Sequence, residues 1–157
     1  MRCRRNASGL TVVSMVFFCL VGCGPGFNAA SGEDAKRGGA IAISPNTTID
    51  DQVSTGLGDH TDWKSFELYG DSNVRIRIWW DDQDVDATVT LYDQRAKMLT
   101  ELEHDDDKRF DETAPVGLTA GRYFVRIESR GGTSVYTMEV LSDDQSGGGS
   151  GGNRPGF

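Results

Sequence analysis

Aspartates carry most of the chemistry this sequence could perform. Asp81, Asp82, Asp84 and Asp86 crowd one short stretch, and Asp50, Asp51, Asp59 and Asp62 are spread along an earlier one. A hard cation such as calcium takes about six to eight oxygens, drawn from carboxylates and loop carbonyls. A fold that brings the two stretches together would offer Asp59, Asp62, Asp82, Asp84 and Asp86 as metal ligands, so calcium is the cofactor the sequence suggests. Asp105 to Asp107 form a second acidic run. The competing reading is turn chemistry: Asp is a common turn residue, the spacing does not match an EF-hand loop, and carboxylate clusters are frequent on acidic surfaces.

Catalysis finds little to use. The two histidines are His60, within Gly58-Asp59-His60-Thr61-Asp62, and His104, within Glu103-His104-Asp105-Asp106-Asp107. Neither belongs to a Ser-His-Asp elbow or a His-Glu-x-x-His motif, and there is no Gly-rich phosphate loop. Both are expected in solvated loops, and the chain reads as a non-enzyme. Trp79-Trp80 is the other pair of note. Neighbours on a strand face opposite ways, so Trp80 is expected in the core and Trp79 outside, where a ring can stack on a sugar or anchor a partner. Alternatively, Trp79 lies under the N-terminal segment or a loop, or against the stem of Arg75 or Arg77.

The elements that would position these residues have an apolar period of two. Val74-Arg75-Ile76-Arg77-Ile78-Trp79-Trp80 alternates, as do Ala87 to Tyr92, Arg122 to Ile127 and Tyr136 to Val140, each bounded by Gly, Asp, Asn or Ser turns. Phe66 and Leu68 share a face of an earlier strand. With no helical stretch, the pattern predicts an all-β antiparallel sandwich of about seven or eight strands, each sheet with one face buried. Phe66, Leu68, Ile76, Ile78, Val89, Leu91, Tyr123, Val125, Ile127, Tyr136, Met138 and Val140 form the expected core.

The flanks have a different composition. Arg2, Arg4 and Arg5 precede an apolar run from Leu10 to Val21, too short for a bilayer span of about 20 residues and typical of a secretory signal. The run ends in Leu20-Val21-Gly22-Cys23, which resembles the lipobox of bacterial lipoproteins. The resemblance implies cleavage before Cys23, diacylglycerol on its sulfur and an acyl group such as palmitate on its amine. Acyl chains at about 0.8 kcal/mol per buried methylene make a firm membrane anchor. Gly24 after the Cys resembles the sorting pattern of outer-membrane lipoproteins. The expected layout is a signal peptide over 1–22, a lipidated flexible tether over 23–39, the domain over 40–142 and a disordered Gly/Ser-rich tail over 143–157.

Removing residues 1–22 takes Arg2, Arg4 and Arg5, leaving 13 basic residues against 24 acids, a formal charge of −11 compared with −8 for the whole chain. Such a surface argues against nucleic acid and anionic headgroups as partners. Of Cys3, Cys19 and Cys23, only the last would remain, which excludes a disulfide within the processed chain.

The order of features over roughly residues 48–141 resembles the bacterial pre-peptidase C-terminal domain. The matches are Asp62-Trp63 with Phe66, Gly70, Val74 to Ile78, Asp84 and Asp86, Leu91-Tyr92-Asp93, Leu118-Thr119-Ala120-Gly121-Arg122-Tyr123-Phe124-Val125, and Tyr136 to Val140. The resemblance implies a jelly-roll-like β-sandwich. Members usually trail secreted proteases, where some bind collagen, polysaccharide or calcium and others aid folding or secretion. Here the domain is expected to stand alone on a lipid anchor. The function expected is a non-catalytic binding or accessory module of the envelope, with polysaccharide, matrix or envelope proteins as partners. The alternative is an assembly lipoprotein of a secretion, motility or envelope complex.

Overall fold

The computed structural model describes residues 32–143. Its strands are β1 (Ile41–Ala42), β2 (Thr48–Ser54), β3 (Thr61–Leu68), β4 (Ser72–Trp80), β5 (Asp86–Tyr92), β6 (Met98–Glu103), β7 (Phe110–Glu112), β8 (Val116–Leu118), β9 (Gly121–Gly131) and β10 (Thr133–Ser142). One sheet runs β1-β3-β9-β5-β6. The other runs β2-β10-β4-β7, with β8 also pairing β4. Apart from the short parallel β1–β3 contact, every pairing is antiparallel.

The alternation seen in the sequence decides which side of each sheet is dry. On β4, Val74, Ile76, Ile78 and Trp80 are buried while Asn73 and Arg75 are exposed. They meet Val89 and Leu91 of β5, Tyr123, Val125 and Ile127 of β9, and Tyr136, Met138 and Val140 of β10 in one apolar cluster. Burying an aliphatic or aromatic side chain of this kind stabilises the fold by about 1.5–3 kcal/mol. The β9–β10 corner turns at Gly132, whose φ of +81° places it in the left-handed region that glycine tolerates. An added Cβ there would also press on Val85 Cα at 3.3 Å.

The sandwich is therefore the all-β class expected, with ten strands among the described residues rather than seven or eight. The additions are short edge strands and β2. In β2, Ile49, Asp51 and Val53 face inward, and the aspartate at the middle position hides the apolar alternation.

The N-terminal boundary also differs from the expected one. Glu33–Ala35 and Arg37–Gly39 form two 3-10 turns, and residues 33–39 strap across β3 instead of hanging free as spacer. Asp34 is fully buried. The strap closes on itself so tightly that a Cβ at Gly39 would lie 1.8 Å from the Glu33 carbonyl oxygen. The expected signal peptide, Cys23, the first part of the tether and residues 144–157 lie outside the described residues. Among the described residues, no helix is long and apolar enough to cross a membrane.

Candidate functional site

Charged side chains occupy inward positions along β3. β3 directs Asp62, Lys64, Phe66 and Leu68 between the sheets, and Lys64 has no exposed surface. Its Nζ donates to Asp34 Oδ2 at 2.6 Å and to Asp51 Oδ2. Asp51 reaches in from β2 of the opposite sheet, while Asp34 is delivered by the strap. Asp62 accepts a hydrogen bond from the Tyr136 hydroxyl at 2.7 Å through Oδ2, and its Oδ1 has no hydrogen-bond partner among the described residues.

This arrangement shapes the titration of its members. Burial pushes the Asp62 carboxyl from 3.8 up to about 7, against the opposing pull of Lys64 and the Tyr136 hydrogen bond. Burial alone would lower the Lys64 ammonium, but Asp62 and the hydrogen bonds to Asp34 and Asp51 outweigh it and hold the group above the usual lysine value. Burial, reinforced by Asp62, drives the Tyr136 phenol well above its ordinary range.

Asp34, Asp51 and Asp62 bring carboxylate oxygens within 4.8 Å of one another, the one such acidic group among the described residues. Calcium does not fit it as it stands. Oxygens of Asp34 and Asp51 are already spent on the Lys64 ammonium, which supplies the positive charge a cation would bring.

The five aspartates suggested by the sequence fall in different settings. Asp62 joins the Lys64 cage. Asp59 is buried in the turn before β3, where its amide donates to the Ser54 carbonyl at 2.9 Å. Asp82 and Asp84 are exposed in the β4–β5 loop, Asp82 Oδ1 accepting from the Asp84 amide at 3.0 Å in a local turn. Asp86 opens β5 and pairs with Arg130 at 2.9 Å. The carboxylates that do gather around Asp62 are Asp34 and Asp51, of which Asp34 came from the expected spacer.

His104 was expected in solvent, and the structure corrects this. Its side chain is only 1% exposed; Nδ1 lies 2.6 Å from Asp111 Oδ2 and Nε2 lies 2.9 Å from the Gln83 carbonyl. Trp80 Nε1 donates to the same Asp111 oxygen at 2.9 Å. The imidazole ties the acidic loop after β6 to the β4–β5 loop and to β7, because a buried ring nitrogen must find a partner. His60 contributes its carbonyl to the Ser129 amide at 2.9 Å.

Trp80 points into the core and Trp79 outward, as alternation requires. Trp79 is 38% exposed and meets the 40% exposed Phe110 of β7, ring centroids 5.1 Å apart and planes tilted by 40°. Arg77 and Glu112 form an ion pair on the same face of the second sheet, with Arg77 also 4.0 Å from Glu139. Phe110 was not a candidate in the sequence, since it stands alone between the charged residues Arg109 and Asp111.

No protein-family model matches the chain, and no curated protein matches its sequence. Solved structures do. The pre-peptidase C-terminal domain of collagenase from Bacillus anthracis superposes with a TM-score of 0.56 at 22% identity, over 64% of this chain and 93% of that one. The C-terminal CBM6 of LamC, a marine laminarinase from Zobellia galactanivorans, gives 0.36 at 13% identity over 60% and 92%. A β-glucosidase from Paenibacillus barengoltzii gives 0.35 at 15% identity over 65% of this chain and 11% of that one. The last two superpositions are too loose to carry an argument. The first shows a shared fold: this chain is a β-sandwich built like a pre-peptidase C-terminal domain.

Proposed function

We propose that this protein is a non-catalytic binding module of the bacterial envelope. Acylated Cys23 holds it at the outer membrane, and the module engages polysaccharide through the outer face of its second sheet. The observation that carries the binding role is the Trp79–Phe110 pair. Two adjoining rings, each more than a third exposed, stand on a rigid strand pair with ion-paired Arg77 and Glu112 beside them. Aromatic faces with polar neighbours suit the apolar faces and the hydroxyls of pyranose rings. The non-catalytic reading is supported by the use of buried polar groups: Lys64 and His104 are each committed to internal partners. The positive charge within the Asp34, Asp51 and Asp62 cage is that of Lys64, so binding proceeds without calcium there.

Pull-down of the full-length protein on insoluble polysaccharides tests the reading. Retention should fall at least tenfold in Trp79→Ala with the unfolding midpoint preserved. Retention unchanged in that variant, or retention on no polysaccharide together with recovery of a fixed envelope protein partner, would replace it with the assembly role. Cys23→Ala tests the anchor separately, and should release the protein from the membrane fraction.

A further inference from the structure

Strand β9 sets Arg122, Arg126 and Arg130 along the outer face of the first sheet. Two of them are neutralised: Arg126 lies 3.0 Å from Glu128, and Arg130 pairs with Asp86 and, at 3.5 Å, with Glu103. Arg122 differs. Glu67 is its cross-strand neighbour, yet the two form no ion pair, and Nη2 donates instead to Ser65 Oγ at 3.0 Å. The strap then brings a second guanidinium beside it. Arg37 lies 4.2 Å from the centroid of the Phe124 ring, Arg122 lies 5.3 Å from the same centroid, and Arg37 donates to the Gln94 carbonyl. Neither has a carboxylate partner among the described residues. A guanidinium offers five N–H donors, so most of each is left for something else.

Both line an open hollow of about 400 Å³ formed with Gly38 and Phe124 and free of acidic side chains. Arg122 also borders two adjoining hollows. One, of about 380 Å³, contains Glu67, Tyr69 and Ser65; the other, of about 560 Å³, contains Asp93, Gln94 and Thr119. The groove is thus cationic at its centre, with Glu67 and hydroxyl groups in one flank and Asp93, Gln94 and Thr119 beside Arg95 in the other. Paired guanidiniums select a planar or tetrahedral oxyanion by bidentate hydrogen bonding. Glu67, and Asp93 through the oxygen not taken by the Arg95 and Lys97 amides, can accept hydrogen bonds from hydroxyls and disfavour a second anion beside them. We infer that this groove binds an acidic glycan in which isolated carboxylate- or sulfate-bearing sugars alternate with neutral ones, the oxyanion between Arg37 and Arg122. The site is on the opposite sheet from Trp79 and does not depend on that surface.

Calorimetric titration of the full-length protein with an oligosaccharide alternating uronate and neutral N-acetylhexosamine tests this. Binding should weaken with added salt. Kd should rise at least tenfold in Arg122→Gln and in Arg37→Gln and less in Arg122→Lys, which keeps the charge but loses the fork, while Trp79→Ala leaves it unchanged. The inference is overturned by equal affinity for a neutral oligosaccharide of the same length, by tighter binding of polyglutamate, or by binding only to vesicles of anionic phospholipid. Failure of both glutamine variants to weaken binding would overturn it too. Loss in Trp79→Ala alone would support the sheet-two surface and sink this one.

Discussion

The molecule handles charge in two opposite ways on the two sides of β3. Inside, one ammonium faces three carboxyls from three separate segments, and its side chain has no exposed surface. Outside, two guanidiniums share a ring with no carboxylate between them and open onto solvent. The same strap supplies a member to each, Asp34 inward and Arg37 outward. A charge enclosed by its partners contributes to architecture, whereas a charge left without one is available to a ligand.

The largest expected effect comes from breaking the closed side. Lys64→Met leaves three buried carboxyls without a cation and should cost about 3–5 kcal/mol in urea unfolding, since removing one partner strands the other charges. A loss below 1 kcal/mol would mean the cage relaxes into water and the contrast fails.

Proton linkage sharpens the same point. The folded chain keeps a proton on Asp62 up to about pH 7, while the unfolded chain releases it near 3.8. Between these values the folded state binds more protons, so stability falls as pH rises, by about 4 kcal/mol across the window. Lys64, held above its usual value, contributes stability that is intact throughout this range and is lost only in alkali. Comparing denaturant midpoints at pH 5 and pH 8 for wild type and Asp62→Asn isolates the contribution; the variant should show a flatter profile.

Gly39→Ala strikes both sides at once. The new methyl cannot coexist with the Glu33 carbonyl, so the strap must lift. We expect a loss of about 1–3 kcal/mol, in the range of other overpacked sites, with weaker binding at the groove measured on the same sample. The smallest effect belongs to the open side: Arg122→Gln should change stability by no more than about 0.5 kcal/mol, as surface substitutions usually do.

The sandwich was legible because its central strands alternate cleanly: every apolar position named from Phe66 to Val140 as core is buried. The cage was half legible. Asp62-x-Lys64-x-Phe66-x-Leu68 puts two charges at inward positions of a strand, and a charge on a core face calls for a buried partner. The partners themselves were hidden. Asp51 interrupts the period of β2, and Asp34 belongs to a strap of single 3-10 turns whose only mark in the sequence is Gly38-Gly39. His104 was hidden for a related reason: its neighbours Asp105 to Asp107 are exposed, and nothing local tells that the imidazole turns toward Asp111. Trp79 was assigned its side by alternation, but Phe110 reaches it only through the β4–β7 register.

Thermal unfolding of the full-length protein with calcium and with EDTA tests most directly whether the interior charge is closed by the chain itself. With Lys64 as the internal cation, the two midpoints should agree within about a degree, and the same pair of scans on Lys64→Ala should separate as calcium enters the vacated cage. A rise of several degrees in the wild type, abolished by Asp62→Asn, would contradict the account and place a metal where Lys64 is assigned.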